Sequence, residues 1–184
     1  MMNNVKRYLA YNKSVRVMAI DSTEIVQELR NLHNLSNLAT AALGRVVTVS
    51  AMLKNDDDRI TVQVKGEGPL GNIVVCADKN MNLKGCVTNP QVELELNSEG
   101  KIDVGRGIGA GTLTVIKDIG LKEPYVGTCE LLTGEIGDDF AYYFNVSEQT
   151  PSVVSVGVLI DERGNVLKAG GYIIQPLPDC EESV

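Results

Sequence analysis

The chain has 184 residues, of which 43% are hydrophobic, and this is enough for one domain with a core. Because Trp is absent, we expect that core to be mainly aliphatic. Its formal net charge of −7 at pH 7 disfavours nucleic acid as a partner, and no polybasic run indicates an anionic membrane surface. The apolar segments indicate neither a signal peptide nor a membrane span, so a soluble, cytoplasmic protein is expected.

The first predicted elements are a hairpin and a helix. Apolar patterning predicts strands at residues 5–10 and 15–20, joined by a turn. Asp21 is placed to cap the helix that follows, and Glu24 stands three residues later, as in a capping box. The helix continues through apolar residues at helical spacing: Ile25, Leu29 and Leu32.

A second helix is predicted from near Ser36 to about Lys54. Its sequence is mostly apolar on all sides, and such a helix is normally buried. We therefore expect it to be central in the fold. Its small residues should let another element approach closely: Ala39, Ala41, Ala42 and Gly44.

Beyond a charged turn at residues 55–58, the pattern changes to period two, which is typical of half-buried strands. One short helix, starting at residues 137–139, places Phe140, Tyr143 and Phe144 on one face. The expected fold is therefore α+β, a single domain with antiparallel strands packed on the buried central helix. Strands are predicted in seven segments: residues 60–65, 73–77, 83–88, 112–116, 125–132, 152–161 and 166–175.

The glycine-rich segment at residues 105–111 invites comparison with a phosphate-binding loop. Such loops present backbone N–H groups to phosphate and lead into a helix. Here a β-branched run follows, and no Gly-Lys-Ser/Thr ending is present. The segment is predicted to be a flexible loop between strands.

Three carboxylates lie close together in the sequence: Glu135, Asp138 and Asp139. They could bind Mg²⁺ or act as an acid–base pair, which would make the chain a small metallohydrolase. The favoured interpretation is that Asp138 and Asp139 occupy the first turn of a helix, where negative charge suits the dipole. Arg45, within the apolar helix, needs a partner, and Asp138 or Asp139 is the expected one.

The four cysteines, Cys76, Cys86, Cys129 and Cys180, include no CxxC or CxC pair. Structural zinc sites normally show such pairs, so no zinc site is predicted. The first three are predicted to be buried or half-buried, and Cys180, in a polar tail, to be exposed. His33 is the chain's single histidine and is expected near a helix end, so no catalytic triad is indicated.

Several segments together resemble one family. The clearest is GEIGDDFAYYFNVSEQTPS at residues 134–152. The others are AALGR at 41–45, VTNPQV at 87–92, GTLTVIKD at 111–118 and AGGYIIQ at 169–175. They are similar to the core domain of the 33 kDa chaperonin (heat shock protein thirty-three) family.

The resemblance implies an ATP-independent, redox-regulated holdase that binds unfolding client proteins during oxidative and heat stress. It also implies an α+β core that exchanges segments between subunits to form a homodimer. Family members carry a C-terminal zinc module with a CxC and a CxxC pair, and neither pair is present here. We therefore expect a chaperone core at residues 1–178, the start of a linker or tail at 179–184, and no cofactor in this chain.

A holdase needs exposed apolar surface that tolerates many sequences. The apolar segment at residues 153–160 and the aromatic residues near 142 are candidate contributors. Each could instead belong to the core or to a dimer interface, and a dimeric scaffold without client binding is a further alternative. The candidate client-binding residues are Tyr142, Tyr143, Phe144, Val154, Val156 and Val158.

Overall fold

The structure is a computed structural model that describes residues 5–54 and 58–178. Within those ranges the chain forms nine strands and four helices. In chain order they are β1 (Lys6–Ala10), β2 (Val15–Asp21), α1 (Thr23–His33), α2 (Asn37–Leu53), β3 (Arg59–Gly66), β4 (Asn72–Ala77), β5 (Leu83–Val87), α3 (Val104–Ile108), β6 (Gly111–Asp118), β7 (Tyr125–Glu130), α4 (Gly137–Ser147), β8 (Val153–Ile160) and β9 (Val166–Pro176).

The strands form two antiparallel sheets. The four-stranded sheet has the order β1-β2-β9-β8, and the five-stranded sheet has the order β5-β4-β3-β6-β7. The first and last hairpins of the chain therefore join in one sheet, through pairing of β2 with β9. This arrangement confirms the predicted α+β class and the predicted hairpins at both ends.

Helix α2 lies between the two sheets and contacts both. The Ser36 hydroxyl caps it by accepting a 3.0 Å hydrogen bond from the Ala39 N–H. Almost every α2 residue is buried, because the helix is apolar on all sides and sheet or helix covers each face. The predicted central helix is confirmed.

Helix α1 and strand β8 both come close to α2 at Gly44. A Cβ built there would lie 2.8 Å from a Val26 methyl carbon of α1 and 2.9 Å from a Val158 methyl carbon of β8. Carbon atoms do not normally come so close, so a larger side chain would push α1 or β8 away. The predicted role of a small residue at Gly44 is confirmed.

Two local predictions are wrong. Part of the glycine-rich segment is the helix α3, in which the Asp103 carboxylate accepts a 2.9 Å bond from the Arg106 N–H. Its Gly107 packs so closely on Leu70 and Leu38 that a Cβ would meet both, which explains a helix despite low propensity. Asp21 lies in β2 and accepts from the Thr23 N–H at 3.0 Å, and Ser22 takes the N-cap position.

The cysteine prediction is wrong for two residues. Cys76 and Cys86 are exposed, because they occupy solvent-facing positions of β4 and β5. Cys129 is buried, as predicted, and burial together with the charge of Asp139 raises the pKa of its thiol to about 11. Cys180 and the predicted tail at 179–184 lie outside the described residues, as do residues 55–57 of the charged turn.

The difference in exposure between Cys129 and the other two described cysteines predicts selective alkylation of the native chain at pH 8. Cys76 and Cys86 should react with iodoacetamide, whereas Cys129 should be protected by burial and by a thiolate fraction of about 0.1%. Peptide mass mapping of native and denatured samples measures the ratio at each site. Equal modification of Cys129 and Cys86 in the native sample would contradict the structure.

No helix within the described residues combines the length and hydropathy that crossing a bilayer requires.

Candidate functional site

The four-stranded sheet has one face against α2 and one face open. Met18, Ile173 and Val154 lie opposite one another in register. Met18 and Ile173 are buried in the main core, and Val154 packs against it, so this row faces inward. Because successive side chains of a strand alternate, the neighbouring rows face outward.

One outward row is apolar across all four strands: Tyr8, Val17, Ile174 and Val153. In the next row Ala19 and Tyr172 lie on the two central strands, between Lys6 and Ser155 on the edge strands. We call the six apolar residues of these two rows the apolar sheet face. Tyr8 is 56%, Val153 57% and Tyr172 42% exposed, and the other three are half-buried.

Charged groups lie at the margin of this face. Lys168 and Asp21 form an exposed ion pair of 3.3 Å beyond its edge. Leu159, 59% exposed, stands opposite Lys168 and is separated from Val153 on the same face of β8 by Ser155 and Gly157. The surface is thus an apolar sheet face with a polar rim.

The outward face of the five-stranded sheet is more polar. Thr61, Gln63 and Lys65 alternate along β3, and Thr114 and Thr128 are within 3.0 Å across β6 and β7. Val74 on β4 and the pair Ile116 and Val126 on β6 and β7 interrupt it. A solvent-facing antiparallel sheet normally carries polar residues. The four-stranded sheet departs from that rule, and exposed apolar patches mark interaction sites.

The aromatic candidates lie mainly in the core. Tyr143 and Phe144 are 0% and 1% exposed, and their ring centroids are 5.8 Å apart. They pack with Phe140 on the inner side of α4, which confirms the prediction that these three side chains share one face. Tyr143 and Phe144 therefore belong to the core, which was the alternative to client binding. Tyr142 is half-buried.

The candidate valines of β8 also face inward. Val154 and Val156 pack against the main core, and Val158 packs against Val26, so all three are half-buried. Client binding by these residues stays a prediction. Val153 and Leu159 belong to the candidate segment at residues 153–160 but not to the six candidate residues, and they occupy the opposite, exposed face of β8.

The Asp139 carboxylate is buried and organises the turn before α4. Its Oδ1 accepts from the N–H groups of Leu132, Thr133 and Gly134 at 2.8, 2.9 and 3.2 Å. Its Oδ2 accepts from the Ile136 N–H at 2.8 Å. The predicted structural role of Asp139 at the start of a helix is confirmed. Asp138, beside it, is exposed.

Arg45 pairs with Glu135, so the predicted pairing with Asp138 or Asp139 is wrong. Its Nη1 donates to Glu135 Oε2 and, at 3.2 Å, to the Glu135 carbonyl oxygen. Glu135 Oε1 also accepts from the Gly105 N–H at 2.8 Å. The Asp139 carboxylate is already occupied by backbone donors, whereas Glu135 is free to accept from Arg45. Glu135 thereby connects α2 to α3.

Replacing Arg45 with leucine should destabilise the fold by about 1 kcal/mol, because Glu135 is partly exposed and water screens the pair. Urea unfolding of Arg45→Leu, Glu135→Gln and the double variant gives the coupling between the two side chains. A neutral or favourable effect of Arg45→Leu would contradict a stabilising ion pair.

Glu135, Asp138 and Asp139 are not placed together as a three-ligand cluster in the part of the chain that the structure describes. Asp139 and Glu135 have separate structural partners, and no group of three or more His, Cys, Asp or Glu side chains is placed to hold a metal ion. The described residues therefore do not fit the four-ligand site of a structural zinc ion.

Comparison with known proteins gives a consistent result. A family model described as "Hsp33 protein" matches residues 3–184. The 33 kDa chaperonin of Thermoanaerobacter sp. (strain X514) is 52% identical over 100% of this chain and 64% of its own length. That of Ruminiclostridium cellulolyticum is 49% identical over 97% of this chain and 62% of its own length.

A solved structure agrees. The crystal structure of the 33 kDa chaperonin (HSP33) from Thermotoga maritima is 42% identical, with a TM-score of 0.87, over 92% of this chain and 59% of that chain. The chain thus spans less than two thirds of the length of these relatives.

Proposed function

The chain belongs to the Hsp33 family, and from that premise we propose that it is the core of an ATP-independent, redox-regulated holdase that binds unfolding proteins. The observation that carries the proposal is the apolar sheet face. Unfolding proteins expose apolar segments, and hydrophobic contact is non-directional, so a flat apolar surface can accept many sequences.

The packing of the glycine-rich segment supports ATP independence. Its Gly105 N–H donates to Glu135 Oε1 at 2.8 Å, and the Gly109 N–H donates to the Gly105 carbonyl oxygen at 2.8 Å. A phosphate-binding loop needs such N–H groups free to contact its ligand. These donors are already used within the fold.

We also propose a homodimer formed by exchange of segments between subunits, acting in the cytoplasm on protein clients and on neither nucleic acid nor membranes. Strand β8 is an edge of its sheet in the described structure, and its residues Val153–Ile160 carry no charge. Such an edge is a template for pairing with another chain. Redox control rests on family membership, and we assign it to no described cysteine.

The direct test is light scattering of a thermally unfolding client in reductant and without ATP. A holdase core should reduce client aggregation at near-equimolar amounts. Binding of a hydrophobic dye to the same sample reports whether apolar surface is accessible. Absence of dye binding together with unreduced client aggregation would favour the dimeric scaffold and overturn the proposal.

A further inference from the structure

Two free cysteines share the outward face of β4 and β5. Cys76 lies opposite Lys84 in register, and Cys86 lies opposite Val74. The two cysteines are therefore diagonal neighbours on one side of an antiparallel pair, and both are exposed. Neither has a part in the apolar sheet face, which belongs to the other sheet.

Both cysteines line one groove of about 450 Å³ between α1 and the β4–β5 pair. Its wall on the helix side includes the apolar residues Ile25, Leu29 and Leu32, together with Glu28 and His33. A largely apolar groove with two thiols suits a soft, weakly hydrated cation better than a hard one, since hard cations take several oxygen ligands and Glu28 is the one carboxylate in the lining.

The spacing of the two residues favours a bridged pair of sulfur atoms over a disulfide. Diagonal neighbours have Cα atoms about 7–8 Å apart. A disulfide needs about 4.4–6.8 Å, so direct bonding would require backbone movement. A metal ion between the sulfur atoms adds two bonds of about 2.3 Å each, on the scale of Zn–S bonds, and so spans a wider gap.

The ligand count selects the kind of ion. In the described ranges no third His, Cys, Asp or Glu joins the two thiols in a set that could hold a metal ion. Zinc normally takes four protein ligands in a structural site. Cu(I) prefers thiolates and is stable with two of them in a linear arrangement.

We propose that Cys76 and Cys86 bind one Cu(I) ion as a two-coordinate bis-thiolate. Each thiol releases its proton to solvent, and the resulting complex carries a net charge of −1. The Lys84 ammonium group, on the residue opposite Cys76, offsets that charge. The Thr61 hydroxyl lies 3.5 Å from Cys76 Sγ and donates to the thiolate once the proton has left.

The test is anaerobic competition for Cu(I) against a chromogenic Cu(I) chelator, using the full chain with Cys180→Ser. We expect one Cu(I) per chain, and a loss of at least about 100-fold in affinity in Cys76→Ser and in Cys86→Ser. Cys129→Ala is the matched control, since that thiol is buried, and it should bind as the parent does.

X-ray absorption of the loaded chain should show two sulfur neighbours and no nitrogen, and His33→Ala should leave affinity unchanged. Unchanged Cu(I) affinity in Cys76→Ser and Cys86→Ser would overturn the proposal, as would loss of binding on replacing Cys180 alone. Circular dichroism of each variant verifies that a loss of binding is not a loss of fold.

Discussion

Asp139→Ala is expected to destabilise the folded state by about 3–5 kcal/mol. The substitution removes the acceptor of four backbone N–H groups, three on Oδ1 and one on Oδ2. The bonds from Gly134 and Ile136 are buried, and each buried donor left without a partner costs about 1–3 kcal/mol. The bonds from Leu132 and Thr133 are part-buried, so water replaces the carboxylate there at a lower cost. The free energy of unfolding, measured by urea titration, gives the effect.

The turn that Asp139 holds is also strained. Gly134 and Ile136 have φ of 72° and 73°, and Ile136 is a β-branched residue for which this conformation is unfavourable. The carboxylate binds the N–H groups on both sides of Glu135, and this fixes the turn that directs Glu135 towards Arg45. Loss of Asp139 should therefore loosen the connection between α2, α3 and α4 together.

Asp138→Ala is the matched control, because it removes the same group one residue earlier from an exposed position. It should change the free energy of unfolding by no more than about 0.5 kcal/mol. The loss of stability in Asp139→Asn should fall between those of the two alanine variants. The amide oxygen still accepts hydrogen bonds, whereas the amide NH₂ group is itself a donor and faces backbone N–H donors. Equal stability of Asp138→Ala and Asp139→Ala would refute the role assigned to Asp139.

The sequence predicted well those features that depend on local pattern. Alternation over a few residues indicated the strands, and a helix apolar on all sides had to be central, as α2 is. The start of α4 followed from Asp139 in the first helical turn. Each of these predictions rests on residues within a single continuous segment of the sequence.

Features that depend on pairing between distant segments were out of reach. Residues 153–160 carry apolar side chains on both faces, so alternation alone does not say whether Val153 or Val154 points to α2. The answer follows from pairing of β8 with β9 and of β9 with β2. Burial was predicted wrongly for Cys76 and Cys86, because it depends on which face of the sheet each side chain occupies.

Arg45 illustrates the same limit in electrostatics. Its need for a partner was evident from an apolar helix, but three carboxylates lay within one short segment of the sequence. The backbone conformation of that segment selects among them, since it directs Asp139 to backbone donors and Glu135 to α2. The helix α3 was missed because packing of Gly107 against Leu38 and Leu70 overrides low helix propensity.

Val153→Asp combined with Tyr172→Asp is expected to weaken client binding at least about tenfold, which is about 1.4 kcal/mol. Both side chains are exposed, so the cost falls on the complex, where two carboxylates must lose water against apolar client segments. Fluorescence anisotropy of a labelled, unfolded client measures the dissociation constant. Urea unfolding should show that the variant's stability changes by about 1 kcal/mol or less.

Thr61→Asp combined with Thr128→Asp is the control, because it adds the same charge to the outward face of the five-stranded sheet. If binding weakens equally in both double variants, net charge and not the apolar sheet face governs client affinity. Sedimentation analysis tests the remaining alternative, that the apolar sheet face associates subunits and does not bind clients. A variant at Val153 and Tyr172 that loses its dimer yet binds clients normally would assign the apolar sheet face to subunit association, and client binding would then have to lie elsewhere on the core.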